Sequence, residues 1–149
     1  MQKVNLFVMS TLLLCLLSIS AYAGNMEDFV KKWNGKKCNG GQCVALAKEW
    51  IQENKWPAFP GIAYAKDYAG LTIKGHQWIK NSPKNMPQEG DIVVFGALNK
   101  DSVGHMSIAY KPTNATTLTS FDQNWPINSA CAEVTHKNYK YVLGWYHKT

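Results

Sequence analysis

Cys43 follows Gly40-Gly41-Gln42 and opens an amphipathic run. On a helix starting there, the thiol lies in the first turn, where backbone N–H groups lack intrahelical partners and the dipole favours negative charge. Both effects lower a thiol pKa and make sulfur a better nucleophile near neutral pH. The glycines let backbone approach a substrate closely. A buried apolar cysteine or half of a disulfide would suit the same position. A cysteine nucleophile needs a base that takes its proton and returns it to the leaving amine. Gly104-His105 stands at the mouth of an apolar run and puts an imidazole where a strand begins. A lone histidine at a strand end is more often a surface residue, and His76, His136 and His147, in polar surroundings, are read that way. Ser120-Phe121-Asp122-Gln123-Asn124-Trp125 comes next. Strand alternation puts Ser120, Asp122 and Asn124 on one face and Phe121, Gln123 and Trp125 on the other. Either Asp122 or Asn124 could hold the far nitrogen of His105, fixing its tautomer and stabilising the imidazolium. A wet sheet face alternates in the same way. Gln42 could donate an amide N–H to a developing oxyanion beside the Cys43 backbone N–H, or it is a surface residue at a helix start.

Three kinds of element have to position these groups. Met26, Phe29, Val30 and Trp33 fall at helical spacing over Met26–Trp33, and Val44, Ala47, Trp50 and Ile51 form an apolar stripe on a helix from about Gln42 to Asn54. A loop rich in Gly and Asn, residues 34–41, separates the two. Ala63–Tyr68 reads as a short helix and His76–Lys80 as one further helical turn. The period then changes: Asp91–Gly96, His105–Tyr110, Thr116 to about Asn124, and Tyr141–Tyr146 read as strands. Helices first and strands afterwards predict an α+β fold, with N-terminal helices packed on one face of an antiparallel sheet.

The chain has 149 residues, one domain by length. Lys3, an apolar run from Leu6 to about Ile19, and Ser20-Ala21-Tyr22-Ala23 read as a cleaved export signal over residues 1–23. Leu14 precedes Cys15 where a lipoprotein signal needs a small residue, so no stable membrane anchor is expected. Residues 24–149 then form one exported domain, secreted or periplasmic and expected to be a monomer. The net charge is +6 and every basic residue is Lys. Without the bidentate Arg fork, nucleic-acid recognition is not expected. A Lys-rich surface suits loose attraction to an anionic polymer, or simple solvation. Cys38, Cys43 and Cys131 remain after the leader, an odd number. The evident split is a Cys38–Cys131 disulfide with Cys43 free; a reduced trio is the alternative. The Cys38–Cys43 spacing is not that of a zinc site.

Taken together, Gly41-Gln42-Cys43-Val44-Ala45-Leu46, Gly90-Asp91-Ile92-Val93-Val94-Phe95, Gly104-His105-Met106-Ser107-Ile108-Ala109 and Asp122-Gln123-Asn124-Trp125 resemble a CHAP domain (cysteine, histidine-dependent amidohydrolase/peptidase). The resemblance runs from about Met26 to Trp145. It implies a papain-like α+β fold and hydrolysis of amide bonds in bacterial peptidoglycan. It places the nucleophile on Cys43, the base on His105 and an oxyanion-hole residue on Gln42. The family's Glu-x-Asn reads Asp122-Gln123-Asn124 here, so Asp122 or Asn124 orients the imidazole. Some relatives bind calcium before the cysteine; here Lys36 and Lys37 stand where acids are needed, and neither metal nor cofactor is expected. Trp56, Trp78, Tyr64 and Trp125 are candidates to line a sugar or peptide groove, or are core. The competing readings are an NlpC/P60-type endopeptidase, an antibacterial toxin with the same chemistry, and a non-catalytic wall-binding module in which Cys43 pairs with Cys38.

Overall fold

The computed structural model describes residues 25–97 and 102–149; the leader expected over residues 1–23 lies outside them. Helix α1 (Met26–Trp33) forms where the apolar spacing puts it. Asn25 caps it by accepting from the Asp28 N–H at 3.3 Å, with Glu27 and Asp28 in the first turn and Lys31 and Lys32 in the last. Those charges complement the helix dipole at both ends. Helix α2 (Cys43–Glu53) turns Leu46, Ala47, Trp50 and Ile51 inward. A 3-10 turn at Asn39–Gly41 feeds α2, with Gly40 and Gly41 at φ of +85° and +80°, a backbone that side chains disfavour. A second 3-10 turn spans Ala65–Tyr68.

Six strands follow: β1 (His76–Lys80), β2 (Ile92–Phe95), β3 (His105–Ala109), β4 (Leu118–Asp122), β5 (Ala132–His136) and β6 (Val142–Lys148). They form one antiparallel sheet in the order β1-β6-β2-β3-β4-β5. The α+β, papain-like layout expected from the sequence is the one observed. Two elements differ from expectation. His76–Lys80 is not a helical turn but an edge strand, paired with β6 from His76↔Lys148 to Lys80↔Gly144. Five residues are too few for a self-supporting helix, and the backbone partner decides their state. Ala132–His136, whose short alternation is not among the strands expected from the sequence, pairs with β4 from Leu118↔His136 to Asp122↔Ala132.

The sheet is covered on both faces. On one, α1 and α2 press Met26, Phe29, Leu46, Ala47, Trp50 and Ile51 against Ile92, Val94, Met106, Ile108, Phe121 and Tyr146. Burial of each large apolar side chain contributes about 2 kcal/mol. Trp50 anchors this layer: its ring lies 5.0 Å from that of Phe29, and its Nε1 donates to the Gly90 carbonyl at 3.0 Å. On the other face, Val93, Phe95, Ala109, Leu118, Val142 and Trp145 form a smaller cluster. The unbroken apolar run of β2 follows from burial on both sides. Gly104 sets the entry to β3. Its φ is +79°, and a Cβ there would come within 2.6 Å of the Phe95 carbonyl oxygen and 2.7 Å of the Lys66 amide. Only glycine allows the chain to pass so close and start β3 on His105.

Candidate active site

Cys43 is the first residue of α2, and His105 is the first residue of β3, the strand most closely packed against that helix. The two side chains face each other, close enough for each to shift the other's pKa. Burial pushes the Cys43 thiol pKa up. The His105 hydrogen bond and charge, with the Met106 and Val44 backbone N–H groups, outweigh burial and leave it below the ordinary value. His105 is 3% exposed, and its Nε2 lies 2.8 Å from Asp122 Oδ2. With Nε2 committed there, Nδ1 is the nitrogen left for the thiol. Burial alone would lower the His105 pKa; Asp122 and Cys43 together bring it up to about 9. Asp122 is 1% exposed. Burial disfavours its charge, but hydrogen bonds from His105 and His136 hold its carboxyl below the usual carboxylate value. The result is an enclosed thiol–imidazole–carboxylate row poised to carry charge on all three members.

Asp122 has more partners than strand alternation alone suggests. Ser120 Oγ donates to Oδ1 at 2.5 Å, and His136 Nε2 lies 3.3 Å from Oδ2 and 3.1 Å from Ser120 Oγ. His136, a polar-surface histidine by its sequence surroundings, is therefore a neighbour of the site. The signal for it in the sequence is the short alternation of Ala132, Val134 and His136 with Glu133 and Thr135, a run not among the strands expected from the sequence. His147 and His76 stay outside: His147 Nδ1 bonds the buried Asp91 at 2.8 Å, and His76 Nδ1 bonds the Lys74 carbonyl.

Asn124 lies beyond the end of β4, at φ +64°, and its Oδ1 accepts from the Asn128 N–H at 2.5 Å. The strand face shared by Asp122 and Asn124 thus stops at Asp122, and Asn124 shapes the following turn. Gln42 is exposed at the N-cap of α2, beside Cys43. Its carbonyl accepts from Gln123 Nε2 at 2.7 Å. Gln123, for which the sequence suggests no role, is fully buried. Its Nε2 also donates to the Cys38 carbonyl at 3.0 Å, while its Oε1 accepts from the Cys38 N–H at 2.5 Å and the Cys131 thiol at 3.2 Å. This one amide ties the end of β4 to both ends of the loop that delivers Cys43.

The expected Cys38–Cys131 disulfide is not formed; Cys38, Cys43 and Cys131 are all free thiols. Cys38 and Cys131 converge on Gln123 Oε1 instead, and the Cys38 thiol points to the Ala45 carbonyl at 3.9 Å. Burial raises the pKa of both, Cys38 to about 12, so they are poor nucleophiles beside Cys43. Trp125 is half-buried, its ring 4.9 Å from that of His105. Trp56 packs on Trp50 at 5.6 Å, and Trp78 packs on Tyr146 at 4.9 Å. Trp78 sits on β1, three strands from β3 in the sheet order, about 14 Å away at ordinary strand spacing. Tyr64 is exposed, under the Lys66 ammonium. Among the described residues, no group of three or more His, Cys, Asp or Glu side chains is arranged to hold a metal ion.

No family model matches the chain. Over 88 residues it is 31% identical to Endolysin LysK of Staphylococcus phage K, covering 56% of this chain and 17% of that protein. The chain thus spans about a sixth of that relative. Among solved structures, the wild-type endolysin LysIME-EF1 superposes with a TM-score of 0.67 at 24% identity, over 81% of this chain and 61% of that one. Ly7917 superposes at 0.61 with 19% identity, over 81% and 60%. Ly7917 with the hydrolyzing product of MDP superposes at 0.60. These structures share the fold.

Proposed function

We propose that this chain, a papain-like domain of the CHAP type, hydrolyses amide bonds of peptidoglycan by acyl transfer through Cys43, His105 and Asp122. One observation carries the reading: a thiol at a helix N-terminus faces an imidazole whose Nε2 is 2.8 Å from an enclosed carboxylate. The similarity to a phage endolysin supports peptidoglycan as the polymer. The excess of lysine over acidic residues suits an anionic wall.

The Cys43 thiolate attacks the scissile carbonyl carbon, and the new C–S bond drives the electron pair onto oxygen. The Cys43 backbone N–H, unpaired at the start of α2, and the Gln42 amide stabilise that oxyanion. Collapse breaks the C–N bond, and the imidazolium of His105 gives its proton to the departing amine. Neutral His105 then takes a proton from water, whose oxygen attacks the thioester, releasing a carboxylic acid and the thiolate. Asp122 holds the ring and stabilises its charged form throughout. Trp125 walls the base from solvent and offers an aromatic face to the substrate. The leader over residues 1–23 carries the enzyme out of the cell.

Purified peptidoglycan tests this. The wild-type protein should clear it in a zymogram, and Cys43→Ala and His105→Ala should each abolish clearing while keeping the wild-type circular dichroism spectrum. Clearing by the Cys43→Ala protein refutes the mechanism. Mass spectrometry of the released fragments names the bond.

A further inference from the structure

His136 takes no part in the acyl-transfer steps, yet it touches the carboxylate that governs them. Its Nε2 lies 3.3 Å from Asp122 Oδ2 and 3.1 Å from Ser120 Oγ, and Ser120 Oγ donates to Asp122 Oδ1 at 2.5 Å. The three side chains close a triangle of polar contacts. The ring of His136 packs against both Phe95, at 4.9 Å, and Trp125, at 5.5 Å, which stack on each other at 6.2 Å. We propose that His136 is a positioning residue: with Ser120 it fixes the plane of the Asp122 carboxylate so that Oδ2 meets His105 Nε2. The inference rests on the reading of Cys43 as nucleophile and His105 as its base.

The physical need is plain. An Asp carboxylate turns through a broad, roughly two-fold torsion, so packing alone leaves its plane loosely set. A carboxylate shut away from water also needs donors to stay ionised. Ser120 occupies one oxygen, and His105 and His136 share the other. The ionisable groups facing His136 are Asp122 on β4 and, across that carboxylate, His105 on β3. Phe95 on β2, Trp125 and Ser120 are uncharged. Removal of the His136 N–H leaves the carboxylate one donor short and freer to turn. His105 then holds its proton less firmly, and the Cys43 thiolate loses part of its counter-charge.

The test compares His136→Phe, which keeps the aromatic packing and deletes the donor, with His136→Gln, which restores an N–H. Iodoacetamide alkylation of Cys43 is followed against pH by mass spectrometry of the Cys43 peptide, beside kcat, KM and Tm. His136→Phe should move the alkylation midpoint up by about one pH unit, a tenfold loss of thiolate below it. Its kcat should fall about tenfold with KM unchanged, and His136→Gln should return both towards wild type. Ser120→Ala breaks the triangle from the other side and is read by the same midpoint should His136→Phe fail to fold. An unchanged midpoint in the folded donor-deleted variant, or equal losses in the Phe and Gln proteins that simply follow Tm, overturns the proposal. Alkylation needs no substrate. A wild-type protein inert on peptidoglycan would therefore sink the functional reading while the midpoints still decide the role of His136.

Discussion

Asp122 keeps its charge inside the protein only because side-chain donors surround it, and this sets the pH range of the neighbouring pair. In the proposed mechanism the reactive state is a Cys43 thiolate beside a His105 imidazolium. It forms as Cys43 deprotonates, below the ordinary thiol value, and is lost as His105 deprotonates at about 9. Hydrolysis should therefore follow a bell against pH, with its alkaline limb falling through about 9. A rate still rising past pH 10 would mean an ordinary thiol with no ion pair. Asp122→Asn keeps the shape but removes the charge, and should lower kcat by about 10²-fold or more. Asn124→Ala, which alters a turn and not the ring's partner, should stay within about threefold. Equal losses would contradict the 2.8 Å contact as the orienting one. In the sequence the two residues are equivalent, since alternation puts both on one strand face. What separates them is the point where β4 ends, set by its pairing with β5.

At the scale of elements, the site depends on how a helix start is held against a strand end. Gln123 supplies that tie through four hydrogen bonds to Cys38, Gln42 and Cys131. Gln123→Leu matches its volume roughly but leaves backbone groups of the Cys43 loop buried without partners, at about 1–3 kcal/mol each. Urea unfolding should show a loss of about 3 kcal/mol with an unchanged m-value. Cys43 alkylation should shift towards the pH dependence of a free thiol. A stability loss with the alkylation profile intact would make Gln123 a core residue only. The central elements are legible in the sequence: α1 and α2 by apolar stripes, β2 and β3 by continuous apolar runs. The edge strands are not. β1 and β5 contain no fully buried residue, β5 alternates only between half-buried and exposed positions over five residues, and the conformation of both is decided by backbone partners on β6 and β4. The place of His136 beside Asp122 is hidden for that reason, and so is the convergence of Cys38 and Cys131 on one amide.

Over the whole molecule, the site's charges also bear on folding stability, with opposite signs at the two ends of the pH scale. Asp122 titrates below its unfolded value of 3.8, so its contribution is fully present above 3.8 and is lost as pH falls through the folded pKa. His105 runs the other way. Its folded value of about 9 exceeds the unfolded 6.5, so its contribution is complete below 6.5 and fades as pH rises towards 9. Cys43, lowered in the fold, adds stability only towards the alkaline side, complete above its unfolded 9.0 and lost as pH falls through its folded value. The Asp122–His105 interaction is thus at full strength only between 3.8 and 6.5. The Tm gap between wild type and Asp122→Asn, followed by calorimetry, should be widest in that window. It should narrow below pH 3.8, where the unfolded carboxyl takes up a proton before the folded one, and again towards pH 9, where the imidazole loses its charge. A gap of constant size across this whole range would mean that Asp122 stabilises the fold through shape and neutral hydrogen bonds, and that the charged row assigned to the site is not present in the folded protein.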